Sequence, residues 1–319
     1  MEKAIHIYQR SKGGVILFYT LQDYLLYYSV FSVYAKRHGI VVLGLALMYD
    51  HLHCLAVANK RQEVEPMMSA VSSVFARLYN AEAGLSGELF QRPFGSAVKL
   101  GSKNIRTAAG YLYNNHTNKK LCDSADKVRW NFLAYAHNRH PFSDPVVLDR
   151  ASRKLRAAIR EVKALSSGGR HLNYGILRRI YKGLKQPEKE QLTDFIVDAY
   201  RVIDYDALEH LYRSYDDMIY SFNANTFNEY DIREEDAERR GDDRVYNVLA
   251  RRIMSSGRFS SIKDILLLSD EEKLRLAVEL KASTGFSYRQ IGSYLHLRIT
   301  FVKNVIKEED YLSGSYLIQ

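Results

Sequence analysis

The chain has 319 residues and a formal net charge of +9, from 46 lysines and arginines against 37 aspartates and glutamates. That length accommodates two domains, and the cationic excess points to a polyanionic partner, nucleic acid before anionic lipid. Two cysteines, Cys54 and Cys122, exclude a disulfide framework and a cysteine-based zinc site, and the longest apolar run, Ile40 to Met48, is about half the ~20 residues that span a bilayer, so a cytoplasmic or nucleoid-associated protein with no membrane partner is expected.

Ile5 to Tyr19 holds β-rich apolar runs interrupted by Ser11-Lys12-Gly13-Gly14. Leu21 to His38 has helical spacing, with Leu21, Leu25, Tyr28, Phe31 and Ala35 on one stripe, and Gly39 stands where a helix C-terminal glycine is expected. Ile40 to Met48 reads as a buried strand, Tyr49-Asp50 as a turn and His51 to Ala58 as the next strand. Pro66 is expected in the first turn of a helix running to about Ala83. Glu88 to Leu100 reads as loop and strand, and a helix follows from about Lys103 to Asn118. Strand, helix, strand, strand, helix, strand, helix is the order of a ferredoxin-like split βαβ unit with one added helix, an α+β fold.

Past Pro141 and Pro145 strand signals give out, and an all-α region is expected. Val147 to Leu165 has the period of a helix with Leu148, Leu155, Ile159 and Val162 on its apolar face. Helices continue through Tyr220, and Glu229 to Arg244 is a mixed-charge helix or linker. Ser269 with Glu272, and Ser287 with Gln290, have capping-box spacing, which predicts helices over Asp270 to Lys281 and Tyr288 to Leu295, with a third over Thr300 to Lys307. The expected division is an α+β domain over 1–140, a helical region over 141–260 and a helical segment over 261–319. That last segment suits either a helix-turn-helix, with Arg298 and Lys303 toward DNA, or a plain three-helix bundle.

The chemistry centres on His51-Leu52-His53. On a strand, residues two apart share a face, so two imidazoles converge where they can hold a divalent metal. Tyr111 and Asn115 lie four apart on a predicted helix and share its face. Asn115 offers a carbonyl oxygen as a third ligand, which puts Tyr111 beside the same ion. Tyr113, two positions on, is about 200° around the helix. Aromatic residues are plentiful, with 24 tyrosines, and most are read as amphipathic core residues.

Met48-Tyr49-Asp50-His51-Leu52-His53 resembles the Met-Pro-Asn/Asp-His-hydrophobic-His block of the IS200-like transposases, members of the HUH endonuclease superfamily. Leu89-Phe90-Gln91-Arg92-Pro93-Phe94, Tyr111-Leu112-Tyr113-Asn114-Asn115 and Arg129-Trp130-Asn131 with Tyr135 resemble further blocks of the related REP-associated tyrosine transposases, in the same order. The resemblance covers about residues 1–140. It implies a ferredoxin-like HUH catalytic domain, with His51, His53 and Asn115 as ligands of magnesium or manganese. It also implies Tyr111 as the nucleophile that forms a 5′-phosphotyrosine link in single-stranded or hairpin DNA and then transfers the strand without ATP. Three positions depart from the pattern: His116 stands where proline is usual, Tyr49 where proline is frequent, and Gly95 where histidine is frequent. Lys99, Lys103, Arg106, Lys119, Lys120, Lys127 and Arg129 flank the proposed active helix and are expected to contact DNA phosphates. A homodimer is compatible with the resemblance. The alternatives are a domesticated DNA-binding regulator without transposition activity, using the segment around Arg298 and Lys303, and a nicking enzyme of the same superfamily.

Overall fold

The computed structural model describes residues 2–224 and 242–297. Strand β1 (Lys3–Arg10) is followed by helix α1 (Leu21–Arg37), strands β2 (Val41–Leu47) and β3 (His51–Val57), helix α2 (Arg61–Ala83), strand β4 (Gly95–Leu100) and helix α3 (Gly101–Asn118). These four strands form one antiparallel sheet in the order β2-β3-β1-β4. The expected split βαβ arrangement with one added helix is what the chain adopts.

Strand alternation divides the side chains between two cores. Ile5, Ile7, Leu45, Leu52, Cys54 and Ala56 point to α1 and α2, where they pack with Leu25, Phe31, Val71 and Phe75. On the opposite face Ala4, Ala46 and Leu55 meet Ile105, Ala108, Ala109 and Leu112 of α3. Gly44 lets α3 approach closely. A Cβ there would stand 3.1 Å from the Tyr113 hydroxyl oxygen and 3.2 Å from a Leu112 methyl carbon. α1 opens on a capping box between Thr20 and Asp23 and closes before Gly39, which adopts φ 64°.

Two boundaries differ from the sequence expectation. α2 begins at Arg61, so Pro66 lies inside the helix and gives up one backbone donor. The helix expected from Val147 begins only at Arg153, because extended Ser152 caps it by accepting from the Leu155 amide. Leu148 is accordingly 55% exposed rather than buried.

The remaining described elements are helical: α4 (Arg153–Ser167), α5 (Tyr174–Tyr181), α6 (Gln186–Ala199), α7 (Tyr205–Glu209), α8 (Tyr215–Ala224), α9 (Arg244–Ser255), α10 (Asp270–Thr284) and α11 (Tyr288–Leu295). Both C-terminal capping boxes form, at Ser269/Glu272 and Ser287/Gln290. The expected helix over Thr300 to Lys307, and with it Arg298 and Lys303, lies outside the described residues, as does most of Glu229 to Arg244.

The helical part is tied to the sheet domain by buried polar links. Asp23, fully buried in α1, accepts from the Tyr174 hydroxyl at 2.6 Å and from Lys263 Nζ at 2.8 Å. Asp194 of α6 accepts from Arg129 at 3.1 Å and from the Tyr135 hydroxyl at 2.6 Å. α8 packs on α3 through Phe222, whose ring stacks on Tyr113 at 5.0 Å.

Candidate active site

The α3 face of the sheet carries a polar cluster at one end. β1 and β3 pair so that Arg10 stands opposite His51 and Tyr8 opposite His53. All four side chains, with His6, therefore project to the same side. The rings of His51 and His53 are 5.1 Å apart and perpendicular. His6 and Tyr8 flank His53 at 5.2 and 5.1 Å. α3 lies across this cluster and brings the Tyr111 ring to 5.3 Å from His53 and 5.7 Å from His6.

Each histidine is oriented by a second group. Asp50 Oδ1 lies 2.6 Å from His51 Nδ1, which leaves Nε2 as the other ring nitrogen, the arrangement in which a carboxylate holds a ligating imidazole. His53 Nδ1 lies 3.1 Å from His6 Nε2. His53 Nε2 is buried and has no hydrogen-bond partner among the described residues. Burial, reinforced by His51, His6, Arg10 and His116, pushes the His53 imidazole well below its ordinary pKa, so it is held neutral. Asn115, one turn after Tyr111, donates its amide to the Tyr111 carbonyl at 3.0 Å.

This donor set fits a divalent cation. An orphaned, neutral, buried imidazole nitrogen is costly unless it meets a partner, and His51 is oriented as a ligand would be. Among the described residues no three histidine, cysteine or carboxylate side chains form a metal cluster. Asn115, on α3 one turn after Tyr111, is the residue expected from the sequence to supply a third ligand.

Tyr111 and Tyr113 are separated as helical rotation requires. Tyr113 is fully buried, and its hydroxyl donates to the Leu43 carbonyl at 2.9 Å. Its hydroxyl is pushed well above the usual tyrosine range, first by burial. Tyr111 is only partly buried. Because residue 116 is not proline, α3 continues past Asn115 to Asn118, and buried His116 donates from Nε2 to the Leu47 carbonyl at 3.1 Å.

The flanking cations divide. Lys103, Arg106, Lys120 and Lys127 are exposed, with Arg106 also reaching the Leu211 carbonyl at 3.2 Å, and Lys119 is partly buried at the end of α3. Lys99 is only 3% exposed, on the α3 side of the sheet, and does not form an open surface. Arg129 is committed inside the protein to Glu190 at 2.9 Å and Asp194 at 3.1 Å, with its guanidinium over Phe142. The expectation that it tracks DNA phosphates gives way to a structural role.

Sequence reasoning missed His6, Tyr8 and Arg10, although their alternation with Ile5, Ile7 and Gln9 is the same signal that marks His51 and His53. It also missed Asp243, just before α9. The Asp243 carboxyl is pushed up to about 6, mainly by burial and further by Asp50, against the opposing pull of Lys119 and His51. The helical part thus reaches the edge of the histidine cluster.

Residues 16–115 match the family model described as "Transposase IS200 like", a stretch shorter than half of the chain. That match spans His51, His53, Tyr111 and Asn115. A solved structure described as a REP-associated tyrosine transposase bound to a REP hairpin is similar at 12% identity and a TM-score of 0.36, covering 48% of this chain and 93% of that one. No curated protein matches the chain. Among the described residues, no helix is long and apolar enough to cross a membrane.

Proposed function

We propose that the protein is a DNA transposase that cuts and rejoins single-stranded or hairpin DNA through a covalent link to Tyr111. The observation that carries this reading is the placement of Tyr111, 5.3 Å ring to ring from His53, beside a second oriented histidine and one helical turn before Asn115. The IS200-like match over the same residues supports it.

In this reaction Tyr111 Oη bonds to phosphorus while the bond from phosphorus to the 3′ oxygen breaks. The phenolic proton is lost, and the 3′ oxygen takes up a proton as it leaves. The product is a 5′-phosphotyrosine and a free 3′-hydroxyl. A second 3′-hydroxyl reverses the attack and frees Tyr111, so phosphodiester number is conserved and no nucleotide triphosphate is consumed. When bound by His51, His53 and Asn115, magnesium or manganese supplies charge stabilisation at the scissile phosphate. That assistance is needed because a free tyrosine hydroxyl titrates near 10.

The chain's own groups have separate tasks. Asp50 and His6 hold the two imidazoles in place. Arg10, opposite His51 on the sheet, is the residue assigned to the phosphate. Lys103, Arg106 and Lys120, exposed on or just beyond α3, hold the flanking backbone. The test is a denaturing-gel assay with labelled hairpin DNA from the flanks of the protein's own gene, in manganese. A slow-migrating protein–DNA adduct is expected from the wild type and not from Tyr111→Phe or His51→Ala. An adduct that survives Tyr111→Phe overturns the assignment.

A further inference from the structure

A cavity of about 530 Å³ opens where the sheet domain meets α6, α9 and α11. That volume lies within the range of small-ligand sites. Its lining includes Tyr24, Tyr49, Trp130, Tyr246 and Tyr294. Tyr24 and Trp130 stack at 4.3 Å with planes 11° apart. Tyr246 contacts Tyr49 at 5.1 Å and lies nearly parallel to Tyr294 at 6.1 Å. Aromatic rings therefore come from both the sheet domain and the helical part.

Two features connect this cavity to the candidate active site. Tyr49 immediately precedes Asp50, the residue that orients His51. His116, which also lines the cavity, immediately follows Asn115. His116 donates from Nε2, so its Nδ1 is the acceptor nitrogen in the neutral ring. That atom is buried without a hydrogen-bond partner among the described residues. Aromatic rings from both parts of the chain lining a cavity large enough for a planar ring system match the chemistry of an unpaired nucleobase.

We propose that this cavity receives one unstacked base of the DNA strand engaged at Tyr111. The proposal rests on the single-strand reading of the function. It gives the helical part a role that the IS200-like stretch does not contain, since Tyr246 and Tyr294 lie outside residues 16–115.

Trp130 is the sole tryptophan of the chain, so its fluorescence reports on the cavity. The experiment titrates full-length protein, without metal, with a short oligothymidine strand and with an abasic strand of the same length. Saturable quenching by the thymidine strand and none by the abasic strand is expected. With binding of both labelled strands read by fluorescence anisotropy, Tyr246→Ala is expected to weaken binding of the thymidine strand about tenfold, in line with the loss of one stacking contact, and to leave abasic-strand binding unchanged. Ala250→Leu, which narrows the cavity from α9 without removing a ring, is expected to do the same. Equal quenching by both strands, or equal weakening of both by the two variants, overturns the proposal. Adduct formation at Tyr111 with no base-dependent quenching overturns the cavity assignment alone. Failure of the wild type to bind either strand overturns the single-strand reading beneath it.

Discussion

His6 gives the sharpest prediction about how the two imidazoles are held. For His53 Nε2 to present a lone pair, His53 Nδ1 must carry the proton and donate it to His6 Nε2, 3.1 Å away. Replacing His6 with phenylalanine keeps the buried volume and removes the acceptor. Two losses follow. The His53 N–H is left buried and unsatisfied, which costs about 1–3 kcal/mol of stability. The ring is also no longer fixed in tautomer or orientation, and losing such a supporting contact weakens metal affinity by about 10–100-fold. Isothermal titration with manganese reads the second effect directly, without any turnover. His6→Gln can offer an amide oxygen at similar reach and is expected to recover much of the affinity, which a purely packing role would not predict. Manganese affinity unchanged in His6→Phe would refute this reasoning.

Other consequences follow from the buried groups. Lys263→Met should destabilise the protein by about 3–5 kcal/mol in urea denaturation, because it strands fully buried Asp23 without its cation; a change below about 1 kcal/mol would mean that the helical part is not anchored there. Acid should weaken the fold through His116, whose imidazole is pushed down to about 4 chiefly by burial. Its folded value lies below its unfolded value of about 6.5, so its contribution is fully present above pH 6.5 and is lost as pH falls toward 4, by about 3 kcal/mol in all. His53 acts in the same direction, while Asp243, raised to about 6, acts oppositely between pH 4 and 6. Thermal melts of wild type and His116→Gln over pH 7 to 4.5 should show a shallower slope in the variant, and parallel slopes would contradict the assignment. Tyr113→Phe removes one buried hydrogen bond to Leu43 and should cost about 0.5–1.5 kcal/mol while leaving the DNA adduct intact; loss of the adduct would count against Tyr111.

The sheet domain was legible because its local signals agree. Apolar runs of the right length, the Gly39 cap and the period of Leu21 to His38 each point to one element order, and that order specifies the topology. Within the site, strand alternation pairs His51 with His53, and helical rotation separates Tyr111 from Tyr113, the fully buried one. Other parts depend on contacts between residues far apart in the chain. Arg129 reads as a free cation until Glu190 and Asp194 are brought to it by α6. Lys99 reads as surface charge, but its register beside Ala4 turns it under α3. Asp243 reaches Asp50 and His51 through the placement of α9, and the aromatic cavity needs α6, α9 and α11 brought against the sheet domain. His6, Tyr8 and Arg10 did carry a local signal, a polar alternation inside a strand, that their apolar neighbours obscured.

In the proposed reaction the Tyr111 hydroxyl oxygen is the atom that becomes bonded to DNA. The most direct measurement is to digest the protein–DNA adduct formed on hairpin DNA and to locate the nucleotide-bearing peptide by mass spectrometry. The proposed function predicts a 5′-phosphotyrosine on Tyr111. A link on Tyr113 or on any other residue, or an intact hairpin with no covalent product despite tight binding, would contradict it.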